Sequence, residues 1–305
     1  MTAPVGLFGL GLMGKALAGR LQAAGAVILG HDPDPDRRAA FAAMGGTVAT
    51  PPEIWAASDC VILCVFDTAQ VEAVLATAPD HSQACVIITS TCDPDRIAAL
   101  PARCPERMQL VDAPVSGTSA EVAAGTAVFL AGGEEAAIAR AAPLLESLER
   151  ALHHVGPLGH GSRTKLAINL ILGLNRAALA EGLVFAEQLG LAPATVLQVA
   201  RDTAAASAVM ATKGPLMVSG TFVPQGRIAQ SAKDFDLILR SARAKGQDLP
   251  FARTYLHMMD NCVAAGEAEL DNAAIISALR RALVSPSSLD LSDMAQTSRH
   301  RRIME

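Results

Sequence analysis

The sequence predicts two domains: an α/β domain built on a parallel sheet, then an all-helical domain, with a long helix joining them. Three observations carry this. Short apolar, β-branched runs alternate with helical segments as far as residue 155. Strand signals disappear after residue 163. A glycine-rich turn stands between the first strand and the first helix. A length of 305 residues is enough for two cores. Hydrophobic residues make up 51% and aromatic residues 3%, which favours helices packed on small side chains over a β-sandwich. The formal charge of -5 argues against a nucleic-acid partner or an acidic membrane surface. The basic run Arg299-His300-Arg301-Arg302 is confined to the tail and reads as a solvated terminus. Six cysteines form no Cys-x-x-Cys pair and no His/Cys cluster has zinc spacing, so no metal site is expected and the protein reads as reduced and cytoplasmic. The N-terminus enters a strand without a basic leader, and no signal peptide is expected. No membrane span is expected either, because the apolar 165–190 segment carries Lys165, Asn169, Asn175, Arg176, Glu181 and Glu187.

Residues 4–8 read as a buried strand, followed at once by Gly9-Leu10-Gly11-Leu12-Met13-Gly14 and a helix. In this Gly-x-Gly-x-x-Gly run, Gly9 permits the tight turn and Gly11 lets the backbone approach a pyrophosphate. Gly14 lets the helix pack on the strand, and the helix N-terminus attracts the phosphates. A second strand, 26–31, ends at Asp32, 23 residues past Gly9, where an acid can bind the ribose hydroxyls of NAD. A turn residue before Pro33 would look the same. Arg37 and Arg38 sit inside the next helix and read as solvated rather than as partners of a 2′-phosphate. Strands follow at 60–65 and 84–89, with helices at 35–44, 52–57, 68–77 and 94–100. Asp67 and Ser90-Thr91 arrive at the sheet edge that binds ligands. The hydroxyls there can contact a nicotinamide ribose or cap the helix ahead of Pro94.

The strand at 108–111 leads into Asp112-Ala113-Pro114-Val115-Ser116-Gly117-Thr118-Ser119-Ala120, a loop whose N–H donors and hydroxyls suit a carboxylate; bare loops of this composition are also common. The last strands are 127–131 and 152–155. In the latter, adjacent His153 and His154 face opposite ways, one exposed and one packed, and form no metal pair. Gly156-Pro157-Leu158-Gly159 breaks the chain, giving domains at 1–160 and 161–285 and a tail at 286–305. A helix then spans about 164–189, ending at Gly190. Lys165 and Asn169, four apart, project from one face of it. Such a pair can move a proton and orient a substrate, but a solvated lysine at the first turn would present the same residues. Later helices cover 193–205, 207–213, 231–245, 250–264 and 272–283. Lys233-Asp234 opens one of these, either as an exposed charged turn or as a cation brought to the cofactor cleft.

Four runs now stand in order: Gly9-x-Gly11-x-x-Gly14, Asp112-Ala-Pro-Val-Ser-Gly117, Gly159-x-Gly161-x-x-x-Lys165-x-x-x-Asn169, and Lys233-Asp-x-x-Leu237. Together they resemble the β-hydroxyacid dehydrogenases, the 3-hydroxyisobutyrate dehydrogenase family, from residue 4 to about 283. The resemblance implies a Rossmann domain, a long interdomain helix and an all-helical domain that builds a homodimer or homotetramer. It implies Lys165 as general acid/base and Asn169 as substrate-orienting residue, with Ser116, Gly117 and Thr118 holding a substrate carboxylate. On the cofactor side it implies the glycine turn of Gly9, Leu10, Gly11, Leu12, Met13 and Gly14, together with Asp32, Val65, Thr91 and Lys233. NADPH-preferring glyoxylate and succinic semialdehyde reductases of the family show Asn-Arg where this chain has Asp32-Pro33, so NAD is favoured over NADP. The implied substrate is a small 3-hydroxy acid or its semialdehyde, of the 3-hydroxyisobutyrate, L-threonate or tartronate-semialdehyde type.

There are departures from the family pattern. Thr118 stands where the family loop usually has a second glycine, and Phe66 replaces a frequent proline. Gly117 stands where sulfolactaldehyde reductases carry a sulfonate-binding Arg, although their following Thr-Ser is shared. Two other readings remain: an NADPH-dependent imine or aldehyde reductase, and a non-catalytic dinucleotide-binding protein. Imine reductases usually carry Asp or Tyr in place of the lysine, and non-catalytic members lose it, so Lys165 weighs against both.

Overall fold

The computed structural model describes residues 3–282; the expected 286–305 tail and the last residue of the expected 272–283 helix lie outside them. The first domain runs β1 (Val5–Phe8), α1 (Leu12–Ala23), β2 (Ile28–His31), α2 (Pro35–Ala43), β3 (Thr47–Val48), α3 (Pro51–Ala57), β4 (Cys60–Leu63), α4 (Thr68–Leu75), β5 (Cys85–Ile88) and α5 (Pro94–Ala98). It continues with β6 (Gln109–Asp112), β7 (Val115–Ser116), α6 (Ser119–Ala124), β8 (Ala127–Gly132), α7 (Glu135–Leu145) and β9 (Glu149–Gly156). The helical part is α8 (His160–Gln188), α9 (Pro193–Arg201), α10 (Ala208–Thr212), α11 (Gly214–Ser219), α12 (Ile228–Ala244), α13 (Pro250–Ala264) and α14 (Ile275–Arg281).

The strand order is β3-β2-β1-β4-β5-β6-β8-β7, with β9 beside β8. β1 to β6 are mutually parallel, and β8 is antiparallel to both β6 and β7. This is the doubly wound arrangement, whose strand order reverses between β1 and β4. Successive strand residues face opposite sides of the sheet, so Leu7 and Ile62 enter one core while Phe8, Val61 and Leu63 enter the other. Burial on both faces explains why these strands read as unbroken apolar runs. A third core, around Leu183, Phe235, Tyr255 and Met259, holds the helical domain together.

Several expectations need correction. α8 begins at His160, one turn earlier than the apolar pattern suggests, because Gly159 adopts φ +88 and starts the helix directly. Asp93 caps α5 by accepting from Asp95 N and Arg96 N, so the capping role does not fall to Ser90 or Thr91. The run at 113–120 is no bare loop but contains β7 and the start of α6. His153 and His154 are both exposed, because β9 lies at the sheet edge. Among the described residues one helix, α8, is long and apolar enough by length and composition to cross a membrane. Its Leu, Ile and Ala content outweighs the charges that argue against this from sequence. Its buried face carries Lys165, Asn169 and Arg176 and packs on β8, α12, α13 and α14, as an interdomain helix does.

Candidate functional site

The reversal between β1 and β4 opens a crevice at the strands' carboxyl ends, where open α/β sheets take ligands. It continues between the domains as a cavity of about 720 Å³. Gly9, Gly11, Leu12, Met13, Gly14, Asp32, Val65, Thr91, Ser116, Gly117, Thr118, Lys165 and Asn169 all line it. The structure therefore brings most of the sequence-predicted residues together.

The glycine turn has local reasons for each of its glycines. Gly9 has φ +95, and a Cβ there would lie 2.2 Å from the Cys64 carbonyl oxygen. A Cβ on Gly14 would lie 1.9 Å from the Gly9 carbonyl oxygen, so α1 enters tightly against the turn. At Gly11 nothing lies within 4 Å of that position, which leaves room for a phosphate at the N-terminus of α1. These residues fit a dinucleotide pyrophosphate. Leu10 is a correction: its side chain is fully buried and its N–H donates to Asp32 Oδ2 at 2.8 Å, so it offers the cleft nothing.

Asp32 also accepts from Asp34 N at 3.0 Å, and its carboxylate ends β2 at the crevice. Arg37 and Arg38 are not simply solvated. Arg37 Nη1 stands 3.5 Å from Asp32 Oδ2 and lines the cleft, while Arg38 Nη1 donates to the Asp32 and Pro33 carbonyls at 2.7 and 2.9 Å. Ser90 Oγ accepts from Val65 N at 2.9 Å and donates to Val65 O at 2.8 Å, which fixes the turn after β4.

Lys233 is not an exposed turn. Its ammonium donates to the carbonyls of Phe66 at 3.0 Å and Thr91 at 2.9 Å and stands 2.9 Å from Asp234 Oδ1. Two of its N–H donors thus tie α12 to the cofactor side of the cleft, and the third stays within α12. Thr118 is also committed. Its hydroxyl accepts from Glu121 N at 3.2 Å and its N–H donates to Glu121 Oε2 at 2.7 Å. This capping box was legible as Thr118-x-x-Glu121. Ser116 and Gly117 are in no such capping box and line the cleft.

Lys165 stands in the second turn of α8 and is 6% exposed. Burial pushes its ammonium down to about 8; Asp234 opposes this, and Arg176 and Lys233 add to it. One turn on, Asn169 Nδ2 donates to Asp234 Oδ2 at 2.9 Å. Asp234 therefore links Asn169 to Lys233, a role its local sequence does not reveal. The start of α8 is pinned by Asp112, which accepts from Ser162 N at 2.7 Å and Ser162 Oγ at 2.8 Å. Burial pushes the Asp112 carboxyl up to about 6 against those two bonds.

Four further cations line the cleft, Arg150, Arg176, Lys213 and Arg227, and of these Arg176 and Lys213 are buried. Arg176 follows Lys165, Asn169 and Leu172 at helical spacing, so its position on the same face was available in the sequence. Lys213 Nζ donates to both oxygens of Asp271, at 2.9 and 2.8 Å.

Residues 4–156 match the family model for the NAD binding domain of 6-phosphogluconate dehydrogenase. Residues 159–279 match the model for the NAD-binding domain of NADP-dependent 3-hydroxyisobutyrate dehydrogenase. The chain is similar to 2-hydroxy-3-oxopropionate reductase of Escherichia coli, with 33% identity over 90% of this chain and 96% of that one. Its fold is similar to the crystal structure of a 3-hydroxyisobutyrate dehydrogenase from Salmonella typhimurium, with TM-score 0.81, 29% identity and coverage of 90% and 99%. It is also similar to Psf3 in complex with NADP+ and 2-OPP, with TM-score 0.79, 26% identity and coverage of 90% and 99%. The glycine turn, the interdomain cleft and these matches agree: the chain belongs to the β-hydroxyacid dehydrogenase family and is an NAD(P)-dependent oxidoreductase of that family.

Proposed function

We propose that this enzyme oxidises a small 3-hydroxy acid, or reduces the matching semialdehyde, with Lys165 as general acid/base and NAD preferred to NADP. The observation that carries this is a buried lysine, its ammonium lowered to about 8, lining the same cleft as an open glycine turn and a Ser-Gly loop. When bound, the nicotinamide supplies the redox chemistry by taking or giving the hydride. Ser116 and Gly117 anchor the substrate carboxylate, with Thr118 shaping that end of the cleft. The neutral Lys165 amine accepts the hydroxyl proton on oxidation, and the ammonium returns it to the carbonyl oxygen on reduction. Asn169, held by Asp234, orients the oxygen beside Lys165. Val65 and Thr91 frame the nicotinamide side, and Lys233 keeps them in register with α12.

NAD preference is supported by the Asp32 carboxylate, which would repel a 2′-phosphate, while Arg37 beside it works the other way. The division into 1–160 and 161–285 is supported by the separate cores and by the hinge at Gly159. Assembly as a homodimer or homotetramer is supported by exposed Ile171, Phe185 and Leu189 along α8 and by Phe251 on α13. A cytoplasmic setting is supported by six free cysteines.

A panel of hydroxy acids with NAD+ and NADP+, and of cyclic imines with NADH and NADPH, followed by reduced-nicotinamide absorbance, tests the reading. Turnover of at least one 3-hydroxy acid, faster with NAD, is expected. Imine turnover with NADPH alone would favour an imine reductase. Tight dinucleotide binding without any turnover would favour a non-catalytic protein.

A further inference from the structure

Arg176 is 5% exposed, yet its charge is poorly matched. Its Nη1 donates to Tyr255 Oη at 2.6 Å, and its Nε has no hydrogen-bond partner among the described residues. The tyrosine does not compensate the charge, since burial pushes the phenol's pKa up and keeps it neutral. The neighbouring acids are committed elsewhere. Asp271 accepts from Lys213 and from the backbone of Gln225, Gly226 and Ala273. Asp234 serves Asn169 and Lys233. Glu121 accepts from Thr118 N. A buried guanidinium with an unpaired donor and no bonded anion is costly unless something else supplies the charge.

The cleft supplies the place for it. Arg176 lines the same cavity as Lys165 and Asn169, on the same face of α8. Eleven residues separate Lys165 from Arg176, about 16 Å between Cα positions along the axis. Side chains on a helix lean towards its N-terminus, so the guanidinium reaches back towards Lys165. The two are near enough for Arg176 to help lower the Lys165 ammonium.

We propose that Arg176 forms a second anion subsite at the far end of the cleft, so that the substrate carries a second carboxylate remote from the reacting carbon. The proposal rests on the hydroxy-acid reading above. The first carboxylate lies on the Ser116-Gly117 loop, the reacting carbinol lies at Lys165, and the second carboxylate lies against the Arg176 guanidinium where that side chain lines the cavity.

The test compares kcat/KM for 3-hydroxyisobutyrate with that for three 2-(hydroxymethyl) dicarboxylates, built on succinate, glutarate and adipate. All four share the same CH2OH centre and first carboxylate, and the dicarboxylates replace the methyl group with a chain ending in the second. At least one dicarboxylate should be favoured by about tenfold or more, the scale of one charge-assisted contact. Arg176→Gln should remove that ratio, mainly through KM for the dicarboxylate, and Arg176→Lys should restore part of it. In parallel, glutarate should inhibit the wild-type enzyme more strongly than butyrate, a comparison that needs no variant. The proposal is overturned if 3-hydroxyisobutyrate equals or exceeds all three dicarboxylates, or if the ratio survives in Arg176→Gln. Turnover of none of the four with either cofactor overturns it as well if another hydroxy acid of the panel is turned over, and overturns the hydroxy-acid reading beneath it if none is.

Discussion

Replacing Lys165 with Met is expected to lower kcat by about 10²–10⁴-fold, the usual contribution of a positioned acid or base. The dissociation constant of the dinucleotide should change little. Methionine fills a similar volume in a site that is already buried, so the change removes the proton carrier without opening the core. The cofactor contacts expected at Gly9, Gly11, Gly14 and Asp32 lie on other elements and keep their geometry. Asn169 retains its bond to Asp234. The loss should therefore appear in kcat with nearly constant cofactor affinity. Intrinsic fluorescence or calorimetric titration with the dinucleotide, set beside steady-state rates, separates the two effects. Weakened cofactor binding with turnover preserved would refute the role given to Lys165.

Asp271→Ala should give the largest stability loss, about 3–5 kcal/mol, as expected when a buried ion pair loses one partner. Lys213 is 3% exposed and would be left charged without its counterion. Burial already lowers its pKa, and Asp271 is the leading group opposing that shift. The same carboxylate accepts from the N–H groups of Gln225, Gly226 and Ala273, so the 225–227 turn would lose its anchor as well. Adding Lys213→Met to Asp271→Ala should recover the part due to the stranded charge but not the part due to the turn. Urea unfolding of the single and double variants reads both parts. A loss below about 1 kcal/mol, the size of an ordinary substitution, would mean that the pair is not buried as described.

The features legible in the sequence share one property: each leaves its mark in consecutive residues. β4 and β5 declare themselves because both faces of each strand are buried. The glycine turn is readable because a Cβ on Gly9 or Gly14 would clash with the neighbouring strand end or with the turn itself, so glycine is required at both. Asp34-Pro35 and Asp93-Pro94 mark helix starts by cap chemistry alone. α6 and α11 are harder because each has 6 residues, and α7 because Pro143 interrupts its pattern. The site residues absent from a sequence reading are those whose partners lie far along the chain. Asp112 meets Ser162 across 50 residues, Lys213 meets Asp271 across 58, Asn169 meets Asp234 across 65, and Arg176 meets Tyr255 across 79. No spacing rule pairs residues at such distances. The resemblance points to Lys165 and Asn169, whereas the acid that holds Asn169 becomes visible once α8 and α12 are packed together.

The pH dependence of the reaction in both directions tests the central claim most directly. Oxidation needs the neutral Lys165 amine, so its kcat/KM should rise with pH and level off above the ionisation at about 8. Reduction needs the ammonium, so its kcat/KM should be constant below that point and fall above it. Mirror-image profiles meeting near pH 8 are the predicted result. Flat profiles, or profiles that move in the same direction with pH, would contradict Lys165 as the group that carries the proton.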